Sequence, residues 1–400
     1  MRRWVAITAA ALGGLIIGAA LGLSLQTAAE SPEIAQGSRR AIPVTKEQAP
    51  TTFLVWVPRG LPSGFADEVA KLPKVDAITI VAEDDAWLRR SWNAAGEVVD
   101  DPPPTYRIPI DVAAVDPSTF AAFVPPADRA SIGELADGDA ILGATSATLR
   151  GLGPGSLLDF GRGKRVRVAA VLPDELVGAA EAMVSTRTGA RIGIEHDRYF
   201  LVQPAEGRRI SAQAFRARIR PLLPRSLGVD RAVQVRAPGQ TPFFRAGDAV
   251  LPPVLVKSLF GEFAARPGAR PGTLELDPAW MASHLETTTV PVLGRVTCNR
   301  GLVAQLRNAM TRVEAAGLSA SVTSFHGCFV PRHIGWDADN MISYHSWGIA
   351  FDVNLATNVR GETPHQDPRL VHILTRWGFQ WGGSWIVPDG NHFEFHRTVP

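Results

Sequence analysis

Ser343-Tyr-His345-Ser-Trp-Gly348-Ile-Ala350-Phe-Asp352 carries an imidazole and a carboxylate that can both donate to a cation. A second stretch, Gly382-Gly-Ser-Trp385-Ile-Val-Pro-Asp389-Gly-Asn-His392-Phe-Glu394-Phe-His396, adds another imidazole with a carboxylate shortly before it. Neutral imidazole and carboxylate are ordinary zinc ligands. Two histidines and one carboxylate leave one position for water, which is the catalytic pattern. On that reading His345, Asp352 and His392 hold one Zn2+, and Asp389 takes the proton from the attacking water. Arg332, in Gly327-Cys-Phe-Val-Pro-Arg332, offsets charge on a peptide carbonyl becoming an oxyanion. His326, His333, His365 and His396 compete for the ligand roles. Spacing alone favours a plainer alternative, in which a histidine beside an aromatic packs or caps and an aspartate opens a turn.

Some local element must hold these groups. After Gly348 the sequence alternates, with Ile349, Phe351 and Val353 pointing one way and Ala350 and Asp352 the other, as in a strand. The small Gly348 and Ala350 would leave room beside Asp352 for an ion. Leu302, Leu306, Met310 and Val313 recur at helical spacing over 301–316, with Gly317 as the stop. Asp367-Pro368 is an N-cap followed by proline at the first helical position, and Leu370, Leu374 and Trp377 form one face up to Gly378. His372 on that helix reads as solvent-facing or packed rather than catalytic. Upstream, strands are expected at 53–57, 77–81, 106–110, 165–171, 190–194, 199–202 and 232–235, with helices at 64–72 and 212–222.

The chain has 400 residues, enough for two or three domains. Its formal net charge of +2 argues against a dedicated nucleic-acid binder. Met1-Arg2-Arg3 precedes an uncharged run from Trp4 to Leu25, long enough to span a bilayer, with the rest of the chain outside. Length favours an uncleaved anchor. A signal peptide cut near Thr27-Ala28-Ala29 is the alternative, and either exports the protein. The expected division is 1–29 anchor or signal, 30–52 linker, 53–249 an extracytoplasmic α+β region, and 250–400 the region of the chemistry. Eight of the nine histidines lie from His284 onward. In an exported chain the only two cysteines, Cys298 and Cys328, read as a disulfide, with free thiols as the alternative. Neither sits in a C-x-x-C pair, which disfavours metal ligation.

Two resemblances add to this. Ser343, His345, Gly348, Ala350 and Asp352, then Gly378-Phe379-Gln-Trp381-Gly-Gly-Ser-Trp385, then Asp389, His392, Phe393 and Glu394 together resemble the D-alanyl-D-alanine carboxypeptidase and L-alanyl-D-glutamate endopeptidase zinc family. That family belongs with the lysostaphin and hedgehog zinc domains. The resemblance covers roughly 256–400. It implies an α+β fold with a small antiparallel sheet flanked by helices. His345, Asp352 and His392 match the zinc ligands and Asp389 the general base. Arg332 matches an arginine that contacts the substrate carbonyl or carboxylate, and Ser343 a residue that supports the site by hydrogen bonding. The implied substrate is a peptidoglycan stem peptide, which lies where an exported chain would meet it. The dipeptidase branch uses Glu-x-x-His for the base, whereas this chain has Asp389-Gly-Asn-His392, which favours the carboxypeptidase or endolysin-like branches. The segments around Cys298 and Cys328 resemble a subgroup of exported bacterial proteins. Farther upstream, Asp137-Gly-Asp-Ala-Ile-Leu-Gly through Val166-Arg-Val-Ala-Ala-Val resembles the extracytoplasmic domain of MacB-type export permeases. Two other functions therefore stand beside hydrolysis: a non-catalytic zinc domain that binds wall peptides, and a part of an envelope complex with a protein partner at 53–249.

Overall fold

The strand Phe53–Trp56 (β1) shows how the larger sheet is built. Its side chains alternate, with Phe53 and Val55 entering one hydrophobic cluster and Leu54 and Trp56 another. A strand buried on both faces reads as a continuous apolar run, which is why no polar residue interrupts it. The computed structural model describes residues 51–224, 233–240, 243–248 and 251–399. The expected anchor and nearly all of the linker lie outside the described residues. Among the described residues no helix is long and apolar enough to cross a membrane.

The other strands of this sheet are β2 (Val75–Leu88), β3 (Arg90–Trp92), β4 (Ile108–Val115), β5 (Asp139–Gly143), β6 (Leu157–Asp159), β7 (Arg165–Leu172), β8 (Ala182–Ser185), β9 (Asp197–Pro204) and β10 (Gln234–Arg236). They form a ten-stranded sheet in the order β10-β1-β9-β2-β4-β8-β5-β7-β6-β3. Pairing is antiparallel except for β4 with β8 and β5 with β7. Helices Phe65–Ala70 and Ala212–Ile219 cover one face through Phe65, Val69, Phe215 and Ile219.

Two expectations shift. The strand expected at 77–81 is the first half of the longer β2, and the one expected at 106–110 begins at Ile108. The strand expected at 190–194 is instead part of the helix Thr186–Ile192. Ser185 caps it by accepting from the Thr188 N–H, and Gly193 ends it at φ 100°. Its buried positions are Thr188, Gly189 and Ile192, a helical period that the short alternation of Ala190-Arg-Ile-Gly-Ile194 imitates. Gly189 lets this helix lie on β4, since a Cβ there would sit 2.5 Å from the Ala114 Cβ.

Beyond residue 250, helix Pro253–Phe260 leads to the short hairpin of β11 (Ala265–Pro267) and β12 (Leu274–Leu276). A second hairpin follows, β13 (Leu285–Val290) with β14 (Gly294–Asn299). Helix Arg300–Ala315 starts at the Asn299 cap and buries Leu302, Leu306, Met310 and Val313, as the spacing predicts. Helix Pro368–Arg376 has its Asp367 cap accepting from the Arg369 N–H. These helices flank a three-stranded antiparallel sheet in the order β15 (Ala350–Asp352), β17 (His392–Phe395), β16 (Phe379–Trp381). The α+β architecture with a small antiparallel sheet is therefore present. Contacts group Ala49–Pro400 into one compact unit.

Candidate metal centre

The ladder between β15 and β17 places Asp352 directly opposite His392. Opposed residues share a face with their Cβ atoms about 5 Å apart. Phe351, Phe393 and Phe395 point the other way, into the core. The third group, His345, is delivered by the short 3-10 turn Tyr344–Trp347 just before β15. The alternation read from the sequence is thus real, and its consequence is a cross-strand pair.

Three donor atoms converge. His345 Nε2 lies 3.2 Å from Asp352 Oδ1 and 3.3 Å from His392 Nδ1, and His392 Nδ1 lies 2.9 Å from Asp352 Oδ1. Ligands about 2.0–2.1 Å from a tetrahedral zinc lie about 3.3 Å from one another, so this triangle matches one face of that tetrahedron. Both outer ring nitrogens are also fixed. His345 Nδ1 lies 3.1 Å from the Cys328 carbonyl oxygen, and His392 Nε2 lies 3.2 Å from Glu394 Oε2. A ring N–H donated outward leaves the inner nitrogen with its lone pair, the arrangement metal-bound histidines use. The residues therefore fit a zinc ion. Among the described residues His345, Asp352 and His392 form the group with metal-ligating geometry.

The electrostatics agree. Burial pushes the His345 pKa down despite Asp352, which keeps the imidazole neutral and able to donate. Burial opposes the charge of Asp352, but His345 and His392 outweigh it and hold the carboxyl well below its usual range. Burial also opposes a charged His392. Asp352 and Glu394, one at each ring nitrogen, overcome this and push its pKa up to about 10. A cation at the inner nitrogen must displace that proton, so uptake is coupled to proton release.

Asp389 sits just before β17. Its Oδ1 accepts from Asn391 Nδ2 at 2.7 Å, and its Oδ2 lies 3.8 Å from Arg360 Nε. Burial raises its pKa, against the pull of His392 and the two arginines Arg360 and Arg332. A carboxylate with raised proton affinity beside the donor triangle suits a group that accepts a proton. Arg332 is half-buried, desolvation lowers its pKa, and it acts on both Asp352 and Asp389. Its guanidinium carbon lies 5.1 Å over the Trp336 ring.

One sequence reading needs correction. Gly348 does not make room for an ion. It adopts φ 68°, and a Cβ there would lie 2.8 Å from the Asn299 N, so glycine is needed where the chain turns tightly against β14. Ser343 is buried and contributes through its backbone, its N–H donating to the Arg332 carbonyl at 3.0 Å. The hydroxyl that ties down Arg332 belongs to Ser346, whose Oγ accepts from the Arg332 N–H and donates to its carbonyl, both at 3.0 Å.

Sequence reasoning passed over Glu394, Arg360 and Ser346. Glu394 was findable, because in His392-Phe-Glu394-Phe the two polar residues must share a strand face. Arg360 lies on a loop whose path the sequence does not specify. The spare histidines are elsewhere: His326 and His365 are exposed, and His333 Nδ1 lies 2.7 Å from the Asn340 carbonyl oxygen. His396 is also outside the donor group. Cys298 and Cys328 form a disulfide with a Cα–Cα distance of 5.3 Å. The bond ties the end of β14 to the very residue whose carbonyl orients His345.

A family model described as D-alanyl-D-alanine carboxypeptidase matches residues 336–395. This segment, which is similar to that peptidase family, contains His345, Asp352, Asp389 and His392 and excludes Arg332 and the cysteines. No curated protein matches the chain. Among solved structures, the chain is similar to the periplasmic region of MacB from Actinobacillus actinomycetemcomitans at 12% identity, covering 46% of this chain and 88% of that one, with a TM-score of 0.31. It is also similar to the extracellular domain of the noncanonical ABC-type transporter YknZ from Gram-positive bacteria, at 15% identity over 46% of this chain and 99% of that one, with a TM-score of 0.30.

Proposed function

We propose that this protein is a zinc-dependent peptidase acting on peptidoglycan stem peptides outside the cell membrane, with residues 250–400 as its catalytic module. The observation that carries this reading is the donor triangle, with the outer nitrogens of both histidines already engaged. His345, Asp352 and His392 would hold one Zn2+. When bound, the ion supplies Lewis-acid polarisation and lowers the pKa of a water toward neutrality. Asp389 takes the proton released as water attacks the peptide carbonyl and returns it to the leaving amine. Its raised proton affinity favours the first of these transfers. Arg332, its backbone fixed by Ser346 and its guanidinium over the Trp336 ring, would offset the charge of the carbonyl oxygen as it becomes negative. Export through the apolar N-terminal run would put the chain beside this substrate, with residues 53–249 available to an envelope partner.

The test uses the full-length protein. Purified protein should hold about one zinc per chain by elemental analysis. It should cleave muropeptides into products identified by mass spectrometry, losing activity with a chelator and regaining it with Zn2+. Asp389→Asn should keep the zinc and lower kcat by about 100-fold or more. Zinc without product, unchanged by Asp389→Asn, would favour a wall-peptide binder. Zinc near zero would sink both readings.

A further inference from the structure

Asp389 ends a loop that begins at Gly382. The loop closes on its own base, because the Gly382 carbonyl accepts from the Trp385 N–H at 3.0 Å and from the Asp389 N–H at 2.8 Å. Trp385 packs on His392, with ring centroids 5.1 Å apart. Ile386 goes elsewhere. It packs against the cluster of the large sheet that contains Leu54, Trp56, Val81 and Leu201. Phe244 and Ala246, from the short segment 243–248, pack against that same cluster.

Segment 243–248 is clamped to the large sheet. Arg245 lies 2.5 Å from a carboxylate oxygen of Glu83 on β2 and of Asp111 on β4. Arg236 on β10 donates to the Arg245 carbonyl at 3.2 Å and to the Gly247 carbonyl. The Tyr199 hydroxyl donates to the Phe244 carbonyl at 2.9 Å. The last residue of the segment then reaches the metal module. Asp248 Oδ2 accepts from the Ile386 N–H at 3.2 Å, and the Asp248 carbonyl accepts from Gln380 Nε2 at 2.8 Å. Gln380 stands opposite Glu394 in the ladder of β16 and β17. On the far side of the loop, the Gly361 N–H donates to the Pro388 carbonyl at 2.6 Å. Loops are ordinarily the mobile part of a site, and a misplacement of about 1 Å in a reacting group can cost about 100-fold in rate.

Resting on the peptidase reading, we propose that Asp248 is a positioning residue, which seats the loop Gly382–Asp389 on the large sheet and so fixes Asp389 relative to the donor triangle. Among the described residues the region upstream of residue 250 holds no metal-ligating group of its own. Its contribution to the chemistry is mechanical: a segment clamped by buried charge holds the loop from which Asp389 works. The site is then built by both regions of the chain.

The test compares full-length, zinc-loaded protein with its Asp248→Ala and Asp248→Asn variants. Hydrogen–deuterium exchange is read by mass spectrometry on peptides covering 380–391 and, as a reference, 301–316. In Asp248→Ala the first set should exchange about 10-fold faster, through the lost bond to the Ile386 N–H, and the reference should not change. With a muropeptide, kcat should fall about 10–100-fold while KM stays within about 2-fold and the zinc content is kept. Asp248→Asn retains an acceptor for the Ile386 N–H and should recover most of kcat and the slow exchange. A purely structural Asp248 would instead lower the melting temperature, speed exchange throughout the chain and leave kcat per folded molecule intact, and that result overturns the proposal. So does a kcat that asparagine fails to restore. The exchange measurement separates this proposal from the peptidase reading. A local change that asparagine reverses, in a protein that cleaves nothing, leaves the seating of the loop standing and removes the peptidase reading. Full hydrolysis by Asp248→Ala with unchanged exchange does the reverse.

Discussion

At the scale of single residues, a proton and a bound cation would compete for His392 Nδ1. Glu394 acts on this competition from the far side of the ring, since its charge raises the basicity of the nitrogen that faces inward. Glu394→Gln keeps a hydrogen-bond acceptor but removes that charge. Zinc affinity should fall about 10–100-fold, as read by competition with a chromophoric chelator. An unchanged affinity would mean that Glu394 only packs. The two histidines and Asp352 were legible in the sequence as residue types at a plausible spacing. Spacing did not select them over His326, His333, His365 and His396; the motif resemblance did, because a histidine's role depends on what stands within about 3 Å of each ring nitrogen.

At the scale of elements, register does the selecting. A slip of one residue between β15 and β17 would turn Asp352 or His392 into the core and a phenylalanine toward the site. The tight turn at Gly348 sets where β15 begins and so guards this register. Gly348→Ala places a Cβ against the Asn299 N in a left-handed conformation. A loss of about 2–3 kcal/mol is expected from strain and steric contact, visible as a lower urea midpoint with unchanged slope. If Gly348 merely made space for an ion, alanine would instead reduce zinc binding and leave stability intact. The helices 301–316 and 367–377 were readable because their caps and apolar period are local. The strand expected at 190–194 failed for the same reason, since five residues cannot distinguish the two periods when burial decides the outcome.

At the scale of the whole molecule, the region after residue 250 is joined to the large sheet by buried charge. Lys257, on helix Pro253–Phe260, pairs with Glu181, which also pairs with Arg150 at 2.8 Å. Glu262 binds both cations, with Lys257 Nζ at 3.1 Å. Burial opposes a charged Glu181, yet Lys257 and Arg150 outweigh it and lower its pKa. Removing one member of such a network leaves uncompensated buried charge. Lys257→Ala should cost about 3 kcal/mol in chemical denaturation of the full chain. Arg167→Ala, which breaks an exposed pair with Asp139, should cost under about 1 kcal/mol. Equal effects would show that the junction is not held this way. The Ile342 N–H donating to Asp85 Oδ2 at 3.0 Å is a second tie between β2 and the loop that leads to His345. For this reason activity belongs to tests on the full chain.

By itself the sequence determined the local matters: the capped helices, the alternation after Gly348, the cysteine pair and the kinds of residue able to hold zinc. These follow from interactions among near neighbours, which any window of the chain contains. Tertiary structure alone decided that Asp352 and His392 face each other, that the Cys328 carbonyl orients His345, and that Arg360 joins Arg332 around Asp389. Those groups lie 40 or more residues apart in several cases, as Asp352 and His392 do, and only long-range packing brings them within hydrogen-bond distance.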